Sequence, residues 1–264
     1  MSADGAPWLR CRPALRFAPQ AGAGYGVCHC KAGGAPLGGN PGDVGFFGPL
    51  TELAAAPDDT VWAYRDDRVW GVTAQTHEFL HLAADGSLLA RFAAPDDITR
   101  LAASADRLFA LTVSGNVRVY DWRGQAIDAW RADAFAGRNS YQQPDGLAAA
   151  PDGTFYALES GRRRIRHVAA NGEVLAVITP NDQGNLYKPI ALAVDGLNRL
   201  YALDLGDLGG PRIVRFVDDR FDRAFSVWPV YESYSFDFEA VALEASGDEV
   251  IIDGGAIAVR FNLS

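Results

Sequence analysis

Several residue types are scarce in this chain of 264 residues, and each scarcity excludes something. It has one methionine, four histidines and three cysteines. All three cysteines, Cys11, Cys28 and Cys30, fall within the first 30 positions, so no disulfide framework runs along the chain. Positive charge is in deficit: 24 Lys and Arg face 33 Asp and Glu, a net charge of −9. A nucleic-acid-binding domain rewards the opposite balance, so no nucleic-acid partner is expected. No apolar run reaches the ~18 residues that a membrane-spanning helix needs, and no membrane insertion is expected. The first residues, Met1 to Gly5, lack the basic-then-apolar pattern of a signal peptide, which places the expected location in the cytoplasm. No segment shows the 3.6-residue period of an amphipathic helix, which argues against a parallel α/β fold. Hydrophobic residues are plentiful at 48%, enough to build a large core.

The chain repeats itself. Segments TELAAAPDDTVWAY from Thr51, TRLAASADRLFAL from Thr99, DGLAAAPDGTFYAL from Asp145, IALAVDGLNRLYAL from Ile190 and EAVALEASGDEVIID from Glu239 align on one apolar anchor. The anchors are Leu53, Leu101, Leu147, Leu192 and Val241, spaced 45 to 49 residues apart. Each unit opens with a short apolar strand, makes a Pro-Asp-Gly-type turn as at Pro57-Asp58-Asp59 and Pro151-Asp152-Gly153, and continues into a strand rich in aromatic and β-branched residues. A third strand carries Arg before an apolar residue, as at Arg164-Ile165 and Arg212-Ile213. A tight Asn-Gly or Asp-Gly turn leads to a fourth. Four antiparallel strands in about 46 residues is the period of a propeller blade. The expected fold is all-β: a β-propeller of four-stranded antiparallel blades.

Residues 142–180, QQPDGLAAAPDGTFYALESGRRRIRHVAANGEVLAVITP, resemble an NHL repeat. Glu159 stands where that family has Asp, and Arg162 where it has Asn; residues 187–229 are similar, with Asp204 and Arg212-Ile213 in place. The resemblance covers about 49–264 and implies a propeller, a fold that serves binding modules, lyases and lactonases alike. Five or six blades are expected. The last unit is short of a fourth strand, and the N-terminal segment 1–18 is expected to supply it, Ala14–Phe17 beside Ala256–Phe261, closing the ring. Residues 19–48 read as a Gly-rich, Cys-containing loop, with ten glycines among residues 18–48. Residues 49–264 hold the propeller repeats.

Three groups of residues can carry chemistry. Cys11, Cys28 and Cys30, with His29 between the last two, can form a thiolate zinc site, remain free thiols, or bridge Cys11 to Cys28 or Cys30. Glu52, Asp145 and Glu239 flank the inner-strand anchors. Carboxylates there can hold Ca²⁺ in a central channel, and gluconolactonase-like propellers use Glu, Asn and Asp in this way to polarise a lactone. The ordinary role of these carboxylates is to accept backbone hydrogen bonds between blades. The run Arg162 to His167 is read as structural, with Arg164 pairing between blades. Finally, the long loops 134–143, 181–188 and 230–237 carry Tyr141, Tyr187, Tyr231, Tyr234 and Phe236, the composition of a protein-binding surface. The expectation is therefore a binding or assembly subunit acting through its loop face, with no cofactor required. The alternative is a metal-dependent lactonase or hydrolase with a channel site.

Overall fold

In the computed structural model of the chain, the residues described are 8–11, 26–29, 50–58, 60–66, 77–83, 87–95, 97–130, 144–180, 186–206, 210–227, 242–246, 249–253 and 258–263. They form strands, with one turn of 3-10 helix at Ser160–Arg162. Strands β1 (Trp8–Cys11) and β2 (Gly26–His29) pair antiparallel. Four sheets of four strands follow: β3 (Leu50–Ala55), β4 (Val61–Asp66), β5 (His77–Leu82) and β6 (Leu88–Ala93); then β7 (Ile98–Ala103), β8 (Arg107–Thr112), β9 (Val117–Asp121) and β10 (Ala126–Trp130). The third holds β11 (Gly146–Ala149), β12 (Phe155–Glu159), β13 (Arg164–Val168) and β14 (Val174–Ile178), and the fourth β15 (Pro189–Val194), β16 (Leu200–Asp204), β17 (Arg212–Val217) and β18 (Arg220–Ser226). Strands β19 (Ala242–Ser246), β20 (Glu249–Asp253) and β21 (Ala258–Asn262) form a sheet of three among the described residues. Within each four-stranded sheet, strand neighbours in space are neighbours in sequence.

Packing divides the chain into two compact units, residues 1–113 with 120–127, and residues 114–119 with 128–264. In the first, both faces of the sheet β3–β6 are buried. Trp62, Tyr64 and Phe79 join a cluster with Leu101, Leu108 and Tyr120, while Val61, Ala63, Leu80 and Leu82 pack on the other side. In the second, the sheet β15–β18 is sandwiched. Leu192, Leu200, Val214 and Phe216 pack with Tyr156, Leu158 and Ile165 of the sheet β11–β14. Ala191, Tyr201, Leu203 and Ile213 pack with Leu243, Val250 and Ile252 of the last sheet. Burial on both faces explains why the second strands read as continuous apolar runs, not as alternation: β12 and β16 are buried at every position. The fourth strands are their opposite, with Leu89, Ile127, Leu175 and Val177 exposed.

The four-strand repeat expected from the period is present. Ala14–Phe17, the segment expected to close the last sheet, lies outside the described residues. The strand that is described in the N-terminal segment, β1, pairs with β2, which lies in the stretch read as a loop.

Candidate functional site

Antiparallel pairing brings the start of β11, the end of β12 and the start of β13 to one end of their sheet. The start of β15, the end of β16 and the start of β17 likewise share one end of theirs. At that end β16 finishes on Asp204, which is fully buried. Its Oδ1 accepts the backbone N–H of Lys188 at 2.6 Å and of Tyr187 at 3.1 Å. Its Oδ2 accepts Arg212 Nε at 3.1 Å and Nη2 at 2.9 Å, a fork-shaped, charge-assisted contact from the residue opposite it in the ladder. Asp204, the residue in place for the repeat resemblance, holds the connection into β15 in place. The consequence is Tyr187. Its backbone is pinned, yet the residue is 38% exposed and its ring lies 5.4 Å from the Arg212 guanidinium.

Glu159 occupies the matching place at the end of β12 and is also fully buried. Arg164 bonds it from the opposite strand position, Arg166 Nε lies 2.7 Å from Oε1, and Arg162 lies 3.8 Å from Oε2. Strand alternation puts Arg164 and Arg166 on one face of β13, so both reach one carboxylate. The partner found for Arg164 thus belongs to its own sheet; the sequence reading had placed its pairing between blades. The two sheets are tied at this end by Ser160, whose hydroxyl donates to the Pro189 carbonyl at 2.7 Å.

The candidate channel carboxylates are engaged by the chain itself. Asp145 Oδ1 accepts the Ser160 N–H at 3.1 Å, and Glu52 accepts Arg100 Nη1 at 3.0 Å. Glu239 lies outside the described residues, as do Tyr141, Tyr231, Tyr234, Phe236 and Cys30. In the β1–β2 ladder Cys11 stands opposite Gly26, Cys28 opposite Leu9 and His29 opposite Trp8. Among the described residues, no three His, Cys, Asp or Glu side chains are grouped to hold a metal.

The opposite end of these sheets holds an arrangement that sequence reasoning missed. His167 Nε2 lies 2.7 Å from Thr154 Oγ1, and His167 Nδ1 lies 2.9 Å from Asp219 Oδ2. The order hydroxyl, imidazole, carboxylate is that of a catalytic triad. Proton counting argues against that role. The Thr154 hydroxyl has one hydrogen and donates it to Asp152 Oδ1 at 2.7 Å. Its oxygen is therefore the acceptor toward Nε2, and the imidazole cannot act as its base. Tyr156 stacks on the His167 ring at 4.2 Å and donates to Asp219 Oδ1 at 2.9 Å. Burial first, then the Asp219 charge, push the Tyr156 hydroxyl well above its ordinary value. Burial alone would raise the Asp219 carboxyl, but the hydrogen bond and charge of His167 and the Tyr156 hydroxyl outweigh it, and the group is held below the usual carboxylate range.

The first unit repeats the turn-threonine, histidine and aromatic part of the arrangement. Thr60 donates to Asp58 at 2.6 Å and lies 2.8 Å from His81 Nε2, and Trp62 stacks on His81 at 4.3 Å. The recurrence marks a fastening of the first β-turn to the third strand. The signal was in the sequence: Pro-Asp-x-Thr, an apolar residue and an aromatic recur at Pro57–Trp62 and Pro151–Tyr156.

No protein-family profile matches the chain, and comparison with curated proteins gives no relative. Solved structures do resemble it. Selenomethionine-substituted virginiamycin B lyase from Staphylococcus aureus is 13% identical with a TM-score of 0.56, over 96% of this chain and 74% of that one. A protein of unknown function from Bacteroides caccae is 12% identical with a TM-score of 0.54, over 92% and 88%. A nidogen/laminin complex includes a chain 14% identical with a TM-score of 0.52, over 81% and 76%. The fold is a β-propeller. At these identities the likeness speaks to the fold alone, and a propeller hosts both catalysis and binding.

Proposed function

We propose that this propeller is an NHL-like protein-binding or assembly subunit, of five or six blades, whose partner docks on the end of the sheets where the inter-blade loops collect. The observation that carries this reading is Tyr187. An exposed aromatic on a backbone fixed by a buried carboxylate is preorganised, so little conformational freedom is lost when a partner covers it. Tyr supplies contact area and a polar tip, and hot spots are enriched in it. Lys188 and Arg212 beside it add polar and charged contacts for a rim. Glu52 and Asp145 are occupied by contacts within the chain, which favours this reading over a channel hydrolase. A similar fold occurs in a complex between proteins, that of nidogen with laminin.

The test is affinity purification from the native host with quantitative mass spectrometry, comparing wild type with Tyr187→Ala. A partner anchored on Tyr187 loses about 1–3 kcal/mol of binding, at an unchanged melting temperature. Equal recovery on both proteins, together with a hydrolase activity abolished by Glu52→Ala, contradicts the reading.

A further inference from the structure

Proton counting fixes the state of His167 as well as that of Thr154. An ionised carboxylate only accepts hydrogen bonds. Asp219 stays ionised, because its carboxyl is held below the usual range, so His167 Nδ1, 2.9 Å from its Oδ2, carries a hydrogen. Thr154 gives its single hydroxyl hydrogen to Asp152 Oδ1, so His167 Nε2, 2.7 Å from Thr154 Oγ1, carries one as well. A neutral imidazole has one N–H, and a ring that donates from both nitrogens is an imidazolium. The surroundings suit a cation. The charged groups that these contacts bring to the ring are Asp219, with its neighbour Asp218, from the β17–β18 turn and Asp152 from the β11–β12 turn. Tyr156, stacked on the ring from β12, keeps its proton and adds no charge, and β14 places Ala176 opposite His167. The His167 and Asp219 side chains are 13% and 23% exposed, dry enough to strengthen the pair and open enough to exchange a proton with water. His81 makes the comparison. It has the same Thr60 and Asp58 at Nε2 and the same aromatic stack, yet burial holds it below its ordinary value, against the opposing pull of Asp58. What His167 adds is Asp219, brought from the fourth sheet.

We infer that His167 is a proton-binding site that clasps the third sheet to the fourth: near neutral pH it is an imidazolium bonded to Asp219 and Thr154, and mildly alkaline pH loosens it. The inference is independent of the protein-binding reading, because this site lies at the opposite end of the sheets from Tyr187. Asp219 retains the Nδ1–H, so the proton that leaves to water is the one on Nε2. The Thr154 hydroxyl then turns from Asp152 to donate to the bare Nε2, and Asp219 exchanges a charged partner for a neutral one. A hydrogen bond between two charged groups is about twice as strong as a neutral one. The stabilisation is therefore present near neutral pH and lost as pH rises and the ring gives up its proton.

The chain has four histidines, so a long-range nitrogen–proton NMR spectrum of the full chain, labelled on histidine, separates the rings, and His167→Gln identifies the signal of interest. At about pH 7 both His167 nitrogens give imidazolium signals, while His81 gives those of a neutral ring. Towards about pH 9 the His167 Nε2 signal moves to that of a bare nitrogen, and wild type melts about 2–4 °C lower than at about pH 7. In Asp219→Asn the ring is neutral at about pH 7 and this alkaline loss disappears. Thr154→Ser, which keeps the hydroxyl, retains both the imidazolium and the loss. A His167 ring that is neutral at about pH 7, or no more charged than His81, overturns the inference, and so does an equal alkaline loss in Asp219→Asn. Should Asp219→Asn fail to fold, the wild-type spectrum decides the matter alone.

Discussion

Asp204 shows what one buried carboxylate does in this molecule. It receives two backbone N–H groups and an arginine fork, so its removal strands several donors at once. Asp204→Ala is expected to cost about 3 kcal/mol, at the lower end for a broken buried pair because Arg212 is partly exposed. Thermal melts check it, and the Tyr187 region should gain mobility in hydrogen exchange. Two other residues tie stability to pH. The folded Asp219 carboxyl lies below its ordinary value, so its stabilisation is present above about pH 4 and is lost as pH falls through the lowered value. Asp219→Asn should flatten the acid side of the stability profile. Burial, followed by the Asp195 carboxylate, pushes the Tyr201 hydroxyl up to about 12. Its stabilisation is therefore complete below about pH 10 and lost as pH rises toward the folded value, and Tyr201→Phe should remove that alkaline loss.

At the scale of elements, turns and strands divide between the legible and the hidden. The β17–β18 turn places Asp218 and Asp219 at φ 49° and 61°, the geometry of a two-residue hairpin turn that glycine suits better. Asp219→Gly relieves a left-handed backbone strain of about 1–2 kcal/mol but removes the bonds to His167 and Tyr156, charge-assisted contacts worth about 1.5–3 kcal/mol each. The variant should melt lower, and a higher melting point would show the fastening to be unimportant. Gly124, at φ 74°, admits no side chain, since a Cβ there would lie 2.2 Å from the Phe92 ring. Gly124→Ala should destabilise the first unit. The glycine turn was readable as a turn, and the Arg164 and Arg212 slots were readable as repeats, because local chemistry dictates them; the Asp218-Asp219 turn, which has no glycine, was not singled out. The Thr154–His167–Asp219 contact was not. Thr154 and His167 meet across the β12–β13 pairing, but Asp219 lies 52 residues beyond His167 and only the stacking of two sheets brings it there. The pairing of β1 with β2 was hidden for a similar reason: their register spans a long Gly-containing connection with no tight-turn signature.

At the scale of the whole molecule, the repeat period led to the propeller because each sheet buries two faces and must recur to cover them. Function was less legible, since the strands encode packing and the loops encode recognition. Of the aromatic residues singled out in those loops, Tyr187 is the one among the described residues, and it stands on the end of the sheets that also holds Glu159 and its arginines. The central claim is that this end, and not the opposite turns or the inner carboxylates, meets the partner. Hydrogen exchange of the full chain, alone and with the partner purified from the host, tests it most directly. Slower exchange is predicted in peptides spanning 160–166 and 186–190. Protection confined to the turns at 152–154 and 218–219, or to residues around Glu52, would contradict it.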